Sequence, residues 1–251
     1  LQYIGKYAFS GCSALTEIVL PYGITNIGEY AFYGCSALKN ATLSVMLEEI
    51  GKNVFKGCTS LETVEVPLGV KTIGYGMFED CSALTTIALP DSVQIIEAHA
   101  FEDCVSLSEI NVPDSVEEIG AYAYKNCGAV TKAYIGHNAQ TIGEYAFNGC
   151  AGLTSVEIAS AVKEFSEGMF MGCKNLSTIA VAEGVEIIGK NAFKGCSALA
   201  SITFPTSLKT IKDSAFDGTA LSNVYIPADV NLIEKGVFTN CVNLTSIDVD
   251  A

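Results

Sequence analysis

Ile27-Gly-Glu-Tyr-Ala-Phe32-Tyr-Gly-Cys35-Ser-Ala-Leu38-Lys-Asn-Ala41-Thr-Leu43 is one copy of a pattern that fills the chain from end to end. Ten cysteines mark its beat: Cys12, Cys35, Cys58, Cys81, Cys104, Cys127, Cys150, Cys173, Cys196 and Cys241. The first nine are 23 residues apart, and the last follows a gap of 45, because one residue is missing near Thr219. A strict period in this range means stacked supersecondary units rather than a globular core around a pocket. That excludes most enzyme architectures.

Working outward from this stretch, the apolar positions form columns. An aromatic column runs from Phe9 and Phe32 to Phe216 and Phe238, with Tyr124 in place of one Phe. A leucine column runs from Leu15 to Leu244, interrupted by Val130, and an isoleucine column runs from Ile4 to Ile233, interrupted by Phe165. Each column has eleven members, so the chain holds about eleven units. After each leucine, alternation such as Val64-Glu65-Val66 predicts a half-buried strand. A shorter alternating stretch, as in Val70-Lys-Thr-Ile73, predicts a second strand. The Gly-x-x-Ala-Phe-x-Gly-Cys segment is too short for a stable helix and is expected to form a single helical or 3₁₀ turn. All six prolines share one column after the first strand, where a missing ladder donor ends pairing. The residue before each cysteine position is only Gly, Asp or Asn, which predicts a left-handed backbone there. Every unit runs the same way, so the sheets are expected to be parallel with right-handed crossovers.

The chain carries 14 lysines, no arginine and a net charge of −14. Such a chain is a poor candidate for binding nucleic acid or anionic membranes. No apolar run reaches the roughly 20 residues of a membrane-spanning helix. One cysteine per unit in a single column predicts a ladder of buried free thiols rather than disulfides, since stacked side chains would point in parallel. Without a CxxC pair or a histidine cluster, no metal site or cofactor is expected. Both ends enter in mid-unit with no polar capping unit, so a single solenoid domain over residues 1–251, part of a longer array, is expected.

The unit Ile-Gly-x-x-Ala-Phe-x-Gly-Cys-x-x-Leu-x-x-Ile-x-Leu-Pro resembles the BspA-type leucine-rich repeat over the whole chain. Residues 27–49, 73–95 and 188–210 match especially well, while 119–141 departs with Tyr124, Val130 and Gly136. The resemblance implies a curved leucine-rich-repeat solenoid, and a surface or secreted protein whose relatives bind host matrix proteins or cells. It implies a non-enzymatic, adhesin-like interaction module. The alternatives are a spacer array with no ligand of its own, or an accessory domain of a carbohydrate-processing protein. The partner is expected to be a protein or glycan, and the chain a monomer.

Candidate chemistry is sparse. His99 and His137 are the only histidines, and both are expected to be solvated turn residues with no nucleophile or acid fixed beside them by motif. Glu79-Asp80 and Glu102-Asp103, in adjacent units, could bring four carboxylates together for Ca²⁺, although Asp80 and Asp103 already have a backbone reason to be there. The outward strand positions are a better place to look for a binding surface. They form a small, polar face on which Asn111, Lys132, Tyr134, Glu157 and Tyr225 are the candidate ligand-binding residues, because exposed tyrosines are favoured in interfaces. A second aromatic row, Tyr7, Tyr30, Tyr122 and Tyr145 with Tyr33 and Tyr75 near it, is expected either to pack over neighbouring turns or to form a binding strip.

Overall fold

A computed structural model describes residues 1–159 and 162–250. Each unit closes one coil with two short parallel strands. The longer strands follow the leucine column: Glu17–Val19, Asn40–Thr42, Thr63–Glu65, Thr86–Ala88, Glu109–Val112, Lys132–Ile135, Ser155–Ile158, Asn223–Ile226 and Ser246–Val249, with a bridge between Ala180 and Thr203. The shorter strands hold the isoleucine column and pair in groups of three, four and four, giving eleven coils. Partners lie 23 residues apart through most of the chain, as in Ile96 beside Ile119 and Tyr134 beside Glu157. The core runs down the axis between these two stacks.

The segment between the shorter and longer strands is a run of overlapping tight turns, with no helical or 3₁₀ stretch among the described residues. In the second coil the amides of Ala31, Tyr33 and Cys35 donate to carbonyls three residues back, while those of Tyr30, Phe32 and Gly34 donate to the next coil. A helix would direct all of these bonds along its own axis. Here alternate amides are needed between coils, and left-handed residues at two points prevent helical continuation. The Gly/Asp/Asn column is left-handed in all eleven coils, from Gly11 at φ 73° to Asn240 at φ 57°. A second left-handed column lies four residues earlier and holds Tyr7, Tyr30, His99, Tyr122 and Tyr145 among others. The expected single turn is therefore a chain of β-turns.

The aromatic column packs as one continuous offset stack from Phe9 to Phe238. Neighbouring ring centroids are 5.0–5.7 Å apart and the planes are within 16° of parallel. The nine rings from Phe32 to Phe216 are buried, and full burial of such a ring stabilises the fold by about 2–3 kcal/mol. All ten cysteines are free, and eight are buried. Each thiol from Cys35 onward donates to the carbonyl of the aromatic residue in the preceding coil, at 3.1–3.3 Å. A small apolar side chain that also carries a weak donor suits this position.

The shortened unit keeps its register. Thr219 takes the cysteine position: it is 2% exposed, its amide donates to the Phe216 carbonyl at 3.2 Å, and its hydroxyl is 3.2 Å from Cys241 Sγ. Leu221, Val224 and Ile226 are buried, and Val224 pairs with Ile247. Phe216 stays in the stack, 5.2 Å from Phe193 and 5.6 Å from Phe238. The deletion removes the turn that joins the cysteine to the leucine elsewhere, as Cys196 to Leu199, so residues 219–222 run straight into the strand.

Candidate functional site

Lys132 and Tyr134 are two residues apart on one strand and so share its outward face. Parallel pairing sets Asn111, Tyr134 and Glu157 in one row and Glu109, Lys132 and Ser155 in the next. The two rows wall a hollow of about 390 Å³ that is floored by Ile110, Ala133 and Val156. Four of the five candidate residues therefore stand side by side. The fifth, Tyr225, lies four coils further along the same column, beyond Glu157, Ala180 and Thr203, and touches none of them. Among the described residues, Glu109, Lys132 and Glu157 have no ion-pair partner. Their charges are available to a ligand.

The Tyr134 ring is held from its far end. Its hydroxyl donates to Asp114 Oδ1 at 3.3 Å and lies 3.4 Å from His137 Nδ1. The His137 amide donates to the same Asp114 oxygen at 2.9 Å, and its ring nitrogen is also 2.9 Å away. The hydrogen bonds from the His137 side chain and backbone hold Asp114 below the usual carboxylate range. Desolvation, followed by the Asp114 charge, raises the Tyr134 hydroxyl above its ordinary value.

Both histidines thus have an acid beside them, contrary to the expectation from motifs. Asp114 sits 23 residues before His137, in the same column of the preceding coil. Glu102 contacts His99 Nδ1 from three residues on and also accepts from Lys125 Nζ at 2.7 Å. His99 is half-buried rather than a solvated decoration. The paired acids proposed for Ca²⁺ are turned to other work. Glu79 binds Lys56 at 2.7 Å, Glu102 binds Lys125, and Asp103 accepts from Asn126 at 2.9 Å.

The second aromatic row stacks on itself. Tyr7 lies 4.9 Å from Tyr30; His99 is 5.0 Å from Tyr122, which is 5.2 Å from Tyr145. Tyr75 tilts against His99 at 5.1 Å, and Lys125 lies 5.4 Å over the Tyr122 ring. These rings stack face to face, as expected for packing over neighbouring turns. A larger hollow of about 600 Å³ beside the shorter strands is lined by Lys6, Asn26, Glu29, Glu49 and Glu97. Its polar groups are largely engaged already: Lys6 with Glu29 at 2.6 Å, Asn26 with Glu49 at 2.8 Å, and Glu97 with the Tyr75 amide at 2.7 Å. The smaller hollow around Tyr134 is the better candidate.

The chain is similar to a leucine-rich repeat protein from Bacteroides ovatus, with 26% identity over 98% of this chain and 82% of that one, at a TM-score of 0.62. It is similar to the T. pallidum leucine-rich repeat protein, with 29% identity over 79% and 83% of the two chains, at a TM-score of 0.60. The pneumococcal vaccine antigen PcpA shares the fold at 20% identity, over 99% of this chain and 67% of that one, at a TM-score of 0.62. No curated protein matches the chain. The BspA type leucine-rich repeat region matches in six copies over residues 2–131 and 117–245. The chain belongs to the BspA-type leucine-rich repeat family.

Proposed function

We propose that this chain is a non-enzymatic interaction module of a surface or secreted protein. It adheres to matrix proteins, cells or glycans through the strand face around Tyr134. The observation that carries this reading is the hollow between Asn111, Lys132, Tyr134 and Glu157, where unpaired charges surround a tethered ring on a rigid parallel sheet. Binding groups fixed on regular strands lose little freedom when a partner arrives. Family membership supports the same reading. His99 bonds to Glu102, and His137 to Asp114 and the Tyr134 hydroxyl; neither is bonded to a serine or cysteine among the described residues, so no serine- or cysteine-type triad forms.

The test is binding of the purified chain to surfaces coated with fibronectin, laminin or collagen, and to epithelial cells. Saturable binding weakened by Tyr134→Ala and by Lys132→Ala is expected. Failure to bind any of these surfaces would leave the spacer reading in place, and turnover of an added substrate would overturn the non-enzymatic one.

A further inference from the structure

We propose that the hollow around Tyr134 binds a pyranose residue of a neutral glycan. This rests on the adhesion reading and names a ligand class for its site. The ring comes first. A sugar ring has an apolar C–H face that packs on an aromatic face, and an anchored ring loses little entropy in doing so. Tyr134 is tethered to Asp114 and His137 at 3.3 and 3.4 Å, and no aromatic ring stacks on it among the described residues. The aromatic row through His99 and Tyr122 lacks this property, because its faces are taken up by stacking.

The surrounding groups point the same way. The hollow presents an amide at Asn111, a hydroxyl at Ser155, an ammonium at Lys132 and carboxylates at Glu109 and Glu157. Sugar hydroxyls both donate and accept, so one neutral ligand satisfies this mixture. A partner's basic side chain would meet Lys132, and an acidic one would meet the two glutamates. A large hydrophobic anchor from a protein would meet little aliphatic surface besides the Tyr134 ring, because the side chains of Ile110 and Ala133 are buried beneath the hollow. A volume of about 390 Å³ lies at the small end of the range for small-molecule sites and suits a single sugar unit in a chain.

The test is calorimetric titration of the purified chain with lactose, cellobiose, chitobiose, maltotriose and mannotriose, alongside the matrix-protein and cell assays. At least one sugar is expected to bind with a Kd of about 1 mM or tighter. Tyr134→Ala should weaken that binding by roughly tenfold or more while leaving the melting curve in place. Tyr225→Ala, four coils away, should leave it unchanged. Tyr134→Phe keeps the ring but cuts its tether, and should weaken binding by less than Tyr134→Ala does. No binding by any of the five sugars, or binding that survives Tyr134→Ala, overturns the proposal. If the sugars fail while matrix-protein binding still depends on Tyr134, the ligand is a polypeptide and the adhesion reading stands. If sugars, matrix proteins and cells all fail, both readings fall together.

Discussion

Glu102 shows how a single residue is fixed by its neighbours in the stack. It is 7% exposed, yet it carries a charge, because Lys125 donates to it from the next coil and His99 contacts it from its own. Burial pushes its carboxyl up, but the bonds from His99 and Lys125 outweigh burial and leave it below its ordinary value. A lowered carboxylate stabilises the fold above its unfolded pKa of about 4.3, and that stabilisation is lost as pH falls through the lower folded value. Glu102→Gln is therefore expected to lower unfolding free energy by about 1–2 kcal/mol at pH 7. The difference from the parent should vanish in strong acid, and urea melts at several pH values would check this. The thiols make a second residue-scale prediction. Burial raises Cys58, Cys150 and Cys196 to about 12, so these thiols are protonated as well as hidden. Cys12 is exposed and Cys241 partly so. Under native conditions a maleimide should label Cys12 first and Cys241 next. The other eight should react only on unfolding, as counted by mass spectrometry.

At the scale of the element, the turn segment balances strain against stacking. A left-handed backbone costs an L-residue roughly 1–2 kcal/mol. Tyr122 bears that cost at φ 59°, with rings on both sides at 5.0 and 5.2 Å and Lys125 above it. Ser214 bears it at φ 57°, with only the Asp213 carboxylate to accept from its hydroxyl. Tyr122→Gly should therefore destabilise by about 1 kcal/mol, because two stacked contacts outweigh the relief of strain. Ser214→Gly should raise the melting temperature slightly. Opposite results in thermal melts would show that stacking does not offset the strain. The same segment explains what could be read from the sequence. The column before the cysteines was legible as left-handed because only Gly, Asp and Asn occupy it. The column of Tyr7, Tyr30, His99, Tyr122 and Tyr145 was not, because aromatic side chains conceal a backbone state they ordinarily avoid. The helical turn expected from Ala and Phe was overridden by the need for alternate amides to bond the next coil. Asp114 beside His137 was hidden for a related reason, since the contact crosses one full period and no local motif records it.

Across the whole molecule, coupling runs between nearest coils. Of the ten contacts between basic and acidic side chains among the described residues, eight join residues 23 apart, and the thiol bonds, the aromatic stack and the strand pairs are likewise made between neighbouring coils. Such an array is stabilised by the sum of its coils and their interfaces, so the period itself is the structural unit. The architecture was legible from that period because eleven copies average away single exceptions such as Val130 and Phe165. The binding face was legible only as a row of outward positions, and the hollow with its tethered ring required the register. Removing residues 50–72 would join Glu49 to Ile73 and take out one whole period of 23 residues, with every column kept in phase. The shortened chain should melt cooperatively at a somewhat lower temperature, with unchanged circular dichroism per residue. Its binding should also be unchanged, because Asn111, Lys132, Tyr134 and Glu157 lie beyond the excised coil. Removing 50–73 instead would join Glu49 to Gly74 and leave that coil without its isoleucine. Unlike the loss near Thr219, which falls in a turn, this one falls in the short strand itself, so pairing and packing across the junction should fail. Equal melting of the two deletions would show that the fold tolerates loss of phase, and nearest-neighbour stacking of matched columns would then be the wrong account of its stability.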